Sequence, residues 1–170
     1  MRNKRLVRVG AAIGFALTIA FTSTTSAGAS APVSNAPVSK EVRHGPTRQE
    51  INAQFVKWNQ ALASHDPAKV ADLYAPNAVL LPTLSNVVRT DRAGLIDYFE
   101  EFLEKQPKSK LTQEIITILD DNTAINAGVY HFDLTVDGRP SAVDARYTFV
   151  YEKRHGRWLI TNHHSSAMPE

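Results

Sequence analysis

The 170-residue sequence has no cysteine, 19 Lys/Arg against 17 Asp/Glu, and 43% hydrophobic residues. Without cysteine a disulfide framework is excluded, and the fold must hold by burial alone. Four of the 19 basic residues fall within the first eight positions, which leaves 15 against 17 and no basic stripe, so neither nucleic acid nor an anionic membrane is an expected partner.

Arg2, Lys4, Arg5 and Arg8 precede thirteen uncharged residues, Val9 to Phe21, and then a run of small residues. This is the pattern of a secretory signal peptide, shorter than the ~20 apolar residues of a stable membrane anchor. Cleavage is expected after Ala29, since a cut after Ala31 would leave Pro32 first. Residues 1–29 then form the export signal and the mature protein is secreted or periplasmic, with no membrane contact after cleavage. Residues 30–45 repeat Ala-Pro-Val-Ser (Ala31–Ser34, Ala36–Ser39) and read as a disordered tether. One domain, residues 46–170, remains; a chain of that size buries roughly 68–70% of its unfolded surface.

Thr47-Arg48-Gln49-Glu50 is a capping-box pattern, and Ile51, Phe55, Trp58 and Leu62 recur at helical spacing behind it. Asp66-Pro67 starts a short second helix, with Val70 and Leu73 inward. Asn77 to Leu81 is an apolar strand closed by Pro82. Thr90 or Asp91 caps a third helix whose Leu95, Phe99, Phe102 and Leu103 face inward, stopped by Pro107. Beyond Lys110 the pattern becomes strand-like: Leu111–Leu119, Thr123–Val136, Ser141–Arg154 and Arg157–Ser166. Asp137-Gly138 and His155-Gly156 join the last three as hairpins. Helices followed by an antiparallel meander make an α+β fold, three N-terminal helices packed on one face of a sheet.

Several stretches resemble the nuclear transport factor 2-like (SnoaL-like, cystatin-like) superfamily, and within it bacterial relatives of the calcium/calmodulin-dependent protein kinase II association domain. They are Phe55 to Leu62, Leu73 to Thr83, Leu95 to Phe99, and the closing hairpin from Tyr147-Thr148-Phe149-Val150-Tyr151 to His163-His164-Ser165-Ser166. The resemblance covers Thr47 to Pro169. It implies a curved sheet wrapped against helices into a cone, an internal pocket, and assembly through the sheet as a homodimer or larger ring. In the kinase domain, pocket arginines on the last two strands can take a carboxylate; those places here match Phe149 and Ser165, so that pattern is not kept. Isomerases and polyketide cyclases also belong to the superfamily, so the fold alone selects no activity.

The chemical candidates concentrate at the chain's end. Neighbouring strand residues point to opposite faces, so only one of His163 and His164 faces the interior. With Ser165 and Arg146 they form the leading constellation for gripping an anionic or carbonyl group. A two-residue loop at His155-Gly156 sets Arg146 opposite Ser165. A three-residue loop, Arg154-His155-Gly156, sets Arg146 opposite His164 and Tyr147 opposite His163. The longer loop is favoured, because it gathers Tyr147, Phe149, Leu159 and Thr161 beside His163. Asp144 is the internal partner available to Arg146. Trp58, Tyr74 and Tyr130 are candidate cavity walls.

His131 and Asp133 share a strand face, but no complete metal set appears, and nothing implies a cofactor. No strained turn prepares Ser165 or Ser166 as a nucleophile. The reading is therefore an exported, self-associating, pocket-bearing domain that binds a small organic molecule. The alternatives are an isomerase- or cyclase-type enzyme with His163 or His131 as proton carrier, and a pure self-association module. Apolar residues on both sheet faces (Tyr147, Phe149 and Tyr151 against Val150, Trp158 and Ile160) favour a homodimer.

Overall fold

The computed structural model describes residues 45–169. The expected export signal and nearly all of the expected tether lie outside them. Among the described residues no helix is long and apolar enough to cross a membrane.

Helix α1 (Arg48–Ala63) begins where Thr47 Oγ1 accepts the Glu50 amide at 3.1 Å. The Glu50 carboxylate reaches across to the sheet, accepting from Trp158 Nε1 at 3.1 Å and Lys153 Nζ at 3.4 Å. Ile51, Phe55, Trp58 and Leu62 are all buried, each stabilising the fold by roughly 1.5–3 kcal/mol. Asp66 Oδ1 caps α2 (Pro67–Ala71) through the amides of Ala68 and Lys69. Asp91 caps α3 (Arg92–Leu103) through the Gly94 amide, and Leu95, Tyr98, Phe99, Phe102 and Leu103 are its buried face.

The strands are β1 (Tyr74–Leu81), β2 (Lys108–Ile118), β3 (Thr123–Val136), β4 (Arg139–Arg154) and β5 (Arg157–Ala167), in the spatial order β1-β5-β4-β3-β2. The last four form the expected antiparallel meander. Strand β1 starts three residues earlier than expected and adds a fifth member, parallel to β5, with Leu80 beside His163. Beyond β1 the chain doubles back, and Leu80 and Arg89 exchange both backbone hydrogen bonds.

Both hairpins turn on two residues. Asp137 and Gly138 have φ of 50° and 72°, His155 and Gly156 of 51° and 77°, the left-handed pairs that a twisted two-residue loop requires. The favoured three-residue loop is therefore corrected: Arg154 pairs directly with Arg157. The extra residue lies inside the ladder instead. Tyr151 pairs with Ile160 but Val150 pairs with Asn162, so Thr161 is bulged, its Oγ1 bonded to the Val150 carbonyl at 3.2 Å.

Past this bulge Phe149 faces His163, Tyr147 faces Ser165 and Arg146 faces Ser166, so neither register considered from sequence survives there. The bulge also resets the side-chain phase. Ile160 and His163 are an odd number of residues apart, yet both are buried, and Ser165 is buried with them. A second bulge, in β2 between Leu111 and Gln113, lies opposite Tyr130 and Val129 of β3, next to the pair Glu114–Gly128. A Cβ at Gly128 would sit 2.0 Å from the Gln113 carbonyl oxygen, so only glycine fits.

Candidate functional site

The buried face of the sheet meets α1 and α3 through a cluster of rings. Trp58 lies edge-on to His163 (centroids 5.5 Å apart, 88°) and nearly parallel to Tyr130 (6.4 Å, 16°). Between these rings and α3 is a narrow cavity with about 420 Å³ of free space including its mouth. Its walls approach so closely that water-sized spheres find room for only about one molecule. Trp58, Tyr98, Phe99, Phe102 and Phe132 supply the apolar wall; Tyr130, Thr83, Ser165 and His163 supply the polar one. Among the described residues, no Lys, Arg, Asp or Glu lines it.

Two hydrogen-bonded groups end at this cavity. Trp58 Nε1 donates to Tyr74 Oη at 3.1 Å, which leaves the Tyr74 hydroxyl proton for His163 Nδ1 at 2.9 Å. That arrangement places the imidazole proton on Nε2. With the opposite tautomer, the Tyr74 proton and Nε2 would both lack partners. His163 is 3% exposed, and its Nε2 has no hydrogen-bond partner among the described residues. Burial pushes its pKa down to about 3, with His164 adding a little, so the ring is neutral at physiological pH. The second group is a run of three hydroxyls: Tyr130 donates to Ser165 Oγ, which is also bonded to Thr83 Oγ1.

Of the candidates read from sequence, Trp58, Tyr130, His163 and Ser165 therefore converge on one cavity. Tyr147 is buried next to them, but its hydroxyl donates to Asn126 Oδ1 at 2.9 Å. Asn126 and Asn52 both donate to the Glu114 carboxylate, a network that ties α1 to the sheet. The outer face holds the rest. His164 is exposed across from Thr148. Arg146 is exposed between buried Ala145 and Tyr147, and its guanidinium lies 3.5 Å from the Ala167 carbonyl, so the expected grouping of Arg146 and His164 with His163 does not form.

Asp144 does not pair with Arg146 but with His131, whose Nδ1 is 2.7 Å away; Asp133 lies 3.4 Å from Nε2. His131 is flanked by buried Tyr130 and Phe132 and so faces away from His163. Among the described residues no three metal-ligating side chains converge. Thr83, Tyr98 and Phe132 were not anticipated. Tyr98 follows Leu95 by three and could have been found on the α3 stripe. Thr83 enters only because β1 lies beside β5.

A family model described as the calcium/calmodulin dependent protein kinase II association domain matches residues 47–169. A calcium/calmodulin dependent protein kinase II association domain from Xanthomonas campestris is similar in structure. It shows 57% identity and a TM-score of 0.72 over 74% of this chain and 90% of that one. The hub homology domain of the same kinase from Chlamydomonas reinhardtii aligns at 18% identity over 71% and 97% of the two chains, with a TM-score of 0.58. A nuclear transport factor 2-like superfamily protein from Salmonella enterica aligns at 18% identity over 72% and 91%, with a TM-score of 0.63. No curated protein matches significantly.

Proposed function

Since the chain belongs to the calcium/calmodulin-dependent protein kinase II association domain family, we propose that it is an exported, self-associating domain whose internal cavity binds a small organic molecule. One observation carries the binding reading: His163 Nε2, buried without a partner among the described residues, belongs to a side chain in the cavity wall. A buried donor left unmet costs about 1–3 kcal/mol, and a ligand acceptor would recover it. Self-association is supported by the family and by the outer sheet face. There Ile125, Val129 and Val150 are half-buried and Ile115 is 55% exposed.

The neutral, buried His163 weighs against the enzyme alternative with that residue as proton carrier, because a general acid–base group works best with a pKa near the operating pH. His131, the other candidate, lies on the outer face beside Asp144. Three measurements on protein from its native host test the proposal. Native mass spectrometry should find a small organic molecule released on denaturation. Light scattering should find at least a dimer, with an interface of ~1,200 Å² or more. Intact mass should place the N-terminus at Ser30. An empty cavity, a micromolar monomer or a full-length chain would each remove the corresponding part.

A further inference from the structure

We infer that residues 82–88 form a strap over the cavity, which swings outward to admit a molecule and closes behind it, with the hydrogen bond between Thr83 and Ser165 as its latch. This inference rests on the cavity being a binding site.

The closed cavity has room for about one water, so an organic molecule enters only if part of the lining gives way. Most of that lining is fixed. Tyr130, Ala145 and His163 belong to β3, β4 and β5, each of which has a paired strand on both sides. Tyr98, Phe99 and Phe102 are buried on α3 together with Leu95 and Leu103, so shifting the helix would expose five large side chains. Pro82, Thr83 and Leu84 are the lining residues that belong to neither a helix nor a strand.

Their segment is lightly held. None of residues 82–91 is buried. The segment leaves and returns through a neck, where Leu80 and Arg89 share two backbone hydrogen bonds and Arg89 is tied to Asp97 of α3 at 2.9 Å. Beyond the neck, among the described residues, the bond from Thr83 to Ser165 is the one hydrogen bond that joins residues 82–88 to the rest of the chain. A segment with few buried contacts and a single tie opens locally at a fraction of the cost of unfolding, and closure of such segments is a common way to shut a site. Its composition suits the task. Residues 82–88 carry no charge. Leu84, Val87 and Val88, three of the nine exposed large apolar side chains among the described residues, fall within five positions. They can close over an apolar mouth with no charged group to strip of water.

Thiol labelling reads the motion, because the chain has no cysteine of its own. Ala145 lines the cavity and is 1% exposed; Ala124 is 0% exposed on the same sheet face, at the end away from Thr83. Ala145→Cys and Ala124→Cys variants of the full mature chain, refolded from urea to clear any bound molecule, are treated with 4,4′-dithiodipyridine. Ala145→Cys should be labelled at least about a hundredfold faster than Ala124→Cys, at a rate nearly flat in low urea, whereas the slower rate should climb with urea. Adding Thr83→Ala should speed labelling of Ala145→Cys about threefold or more. The amides that join β4 to β5 beyond Phe149 should show an opening constant at least about tenfold smaller than that from labelling. Should Ala145→Cys fail to fold, Ser165→Cys reports on the same wall. Equal labelling of the two sites, a rate that ignores Thr83→Ala, or ladder amides that open as often as the thiol is labelled would each overturn the strap. Release of a small molecule on denaturation is scored separately. A strap that opens in protein releasing none keeps the inference and removes the binding reading, and a closed wall in protein that does release one does the reverse.

Discussion

Phe149 and His163 lie face to face across the β4–β5 ladder, ring centroids 4.0 Å apart and planes 24° from parallel. The contact holds the imidazole flat against an aromatic surface while its two nitrogens keep separate tasks. Nδ1 is occupied by Tyr74; Nε2 engages no described residue.

Removing that ring should be costly. His163→Ala leaves a hole beside Phe149 and Trp58 and strips Tyr74 of its acceptor, so a loss of about 3 kcal/mol is expected from urea unfolding. His163→Phe keeps the volume and should lose about 1–2 kcal/mol. Equal losses in the two variants would mean that the hydrogen bond, not packing, dominates.

Stability should fall in mild acid because of the same residue. The unfolded imidazole takes its proton near pH 6.5, the folded one only near 3. Between those values the unfolded state binds more protons, so stability is full above ~6.5 and drops by up to ~1.4 kcal/mol per pH unit on going down. His163→Phe should flatten the curve between pH 6 and 5, where carboxylates contribute little. A slope unchanged in that variant would assign the effect to other histidines.

Gly128→Ala should be among the most damaging single-methyl substitutions in the sheet. Its Cβ would stand 2.0 Å from backbone rather than from a side chain that could rotate away. The β2–β3 ladder must separate or slip, and a loss of about 2–3 kcal/mol in thermal or urea unfolding is expected.

Arg146→Ala should do little. The guanidinium is exposed, and its one hydrogen bond is a 3.5 Å approach to a carbonyl. Monomer stability should change by no more than ~0.5 kcal/mol in urea unfolding. A loss of more than ~1 kcal/mol would show that this side chain helps to hold the fold.

Much of the frame was legible because its signals are local. Thr47 and Asp66 cap the helices they are expected to cap, Asp91 rather than Thr90 caps the third, and Asp137-Gly138 sits at its turn. The α+β class followed from the change of period after Lys110. The site was half legible. Trp58 stands out by its place on the α1 stripe, and Tyr130, His163 and Ser165 by residue type and strand, and none of these needs an exact register. Arg146 and His164 depended on phase, and phase was set by a bulge at Thr161 with no glycine or proline to mark it. Thr83 depended on β1 finding β5, a pairing between segments about eighty residues apart that no local pattern encodes.

The bulge at Thr161 makes that residue a silent letter in the strand, occupying a place in the chain without occupying one in the alternation. Ile160 upstream and His163 downstream share the buried side only because Thr161 is passed over. A chain lacking Thr161 would need no bulge: Asn162 would succeed Ile160 directly, and His163 and Ser165 would stay on the cavity side. A chain that kept Thr161 but drew the ladder straight would instead turn His164 and Ser166 inward and send His163 and Ser165 out. Along this strand, then, losing a residue is the milder change and losing an irregularity the graver one.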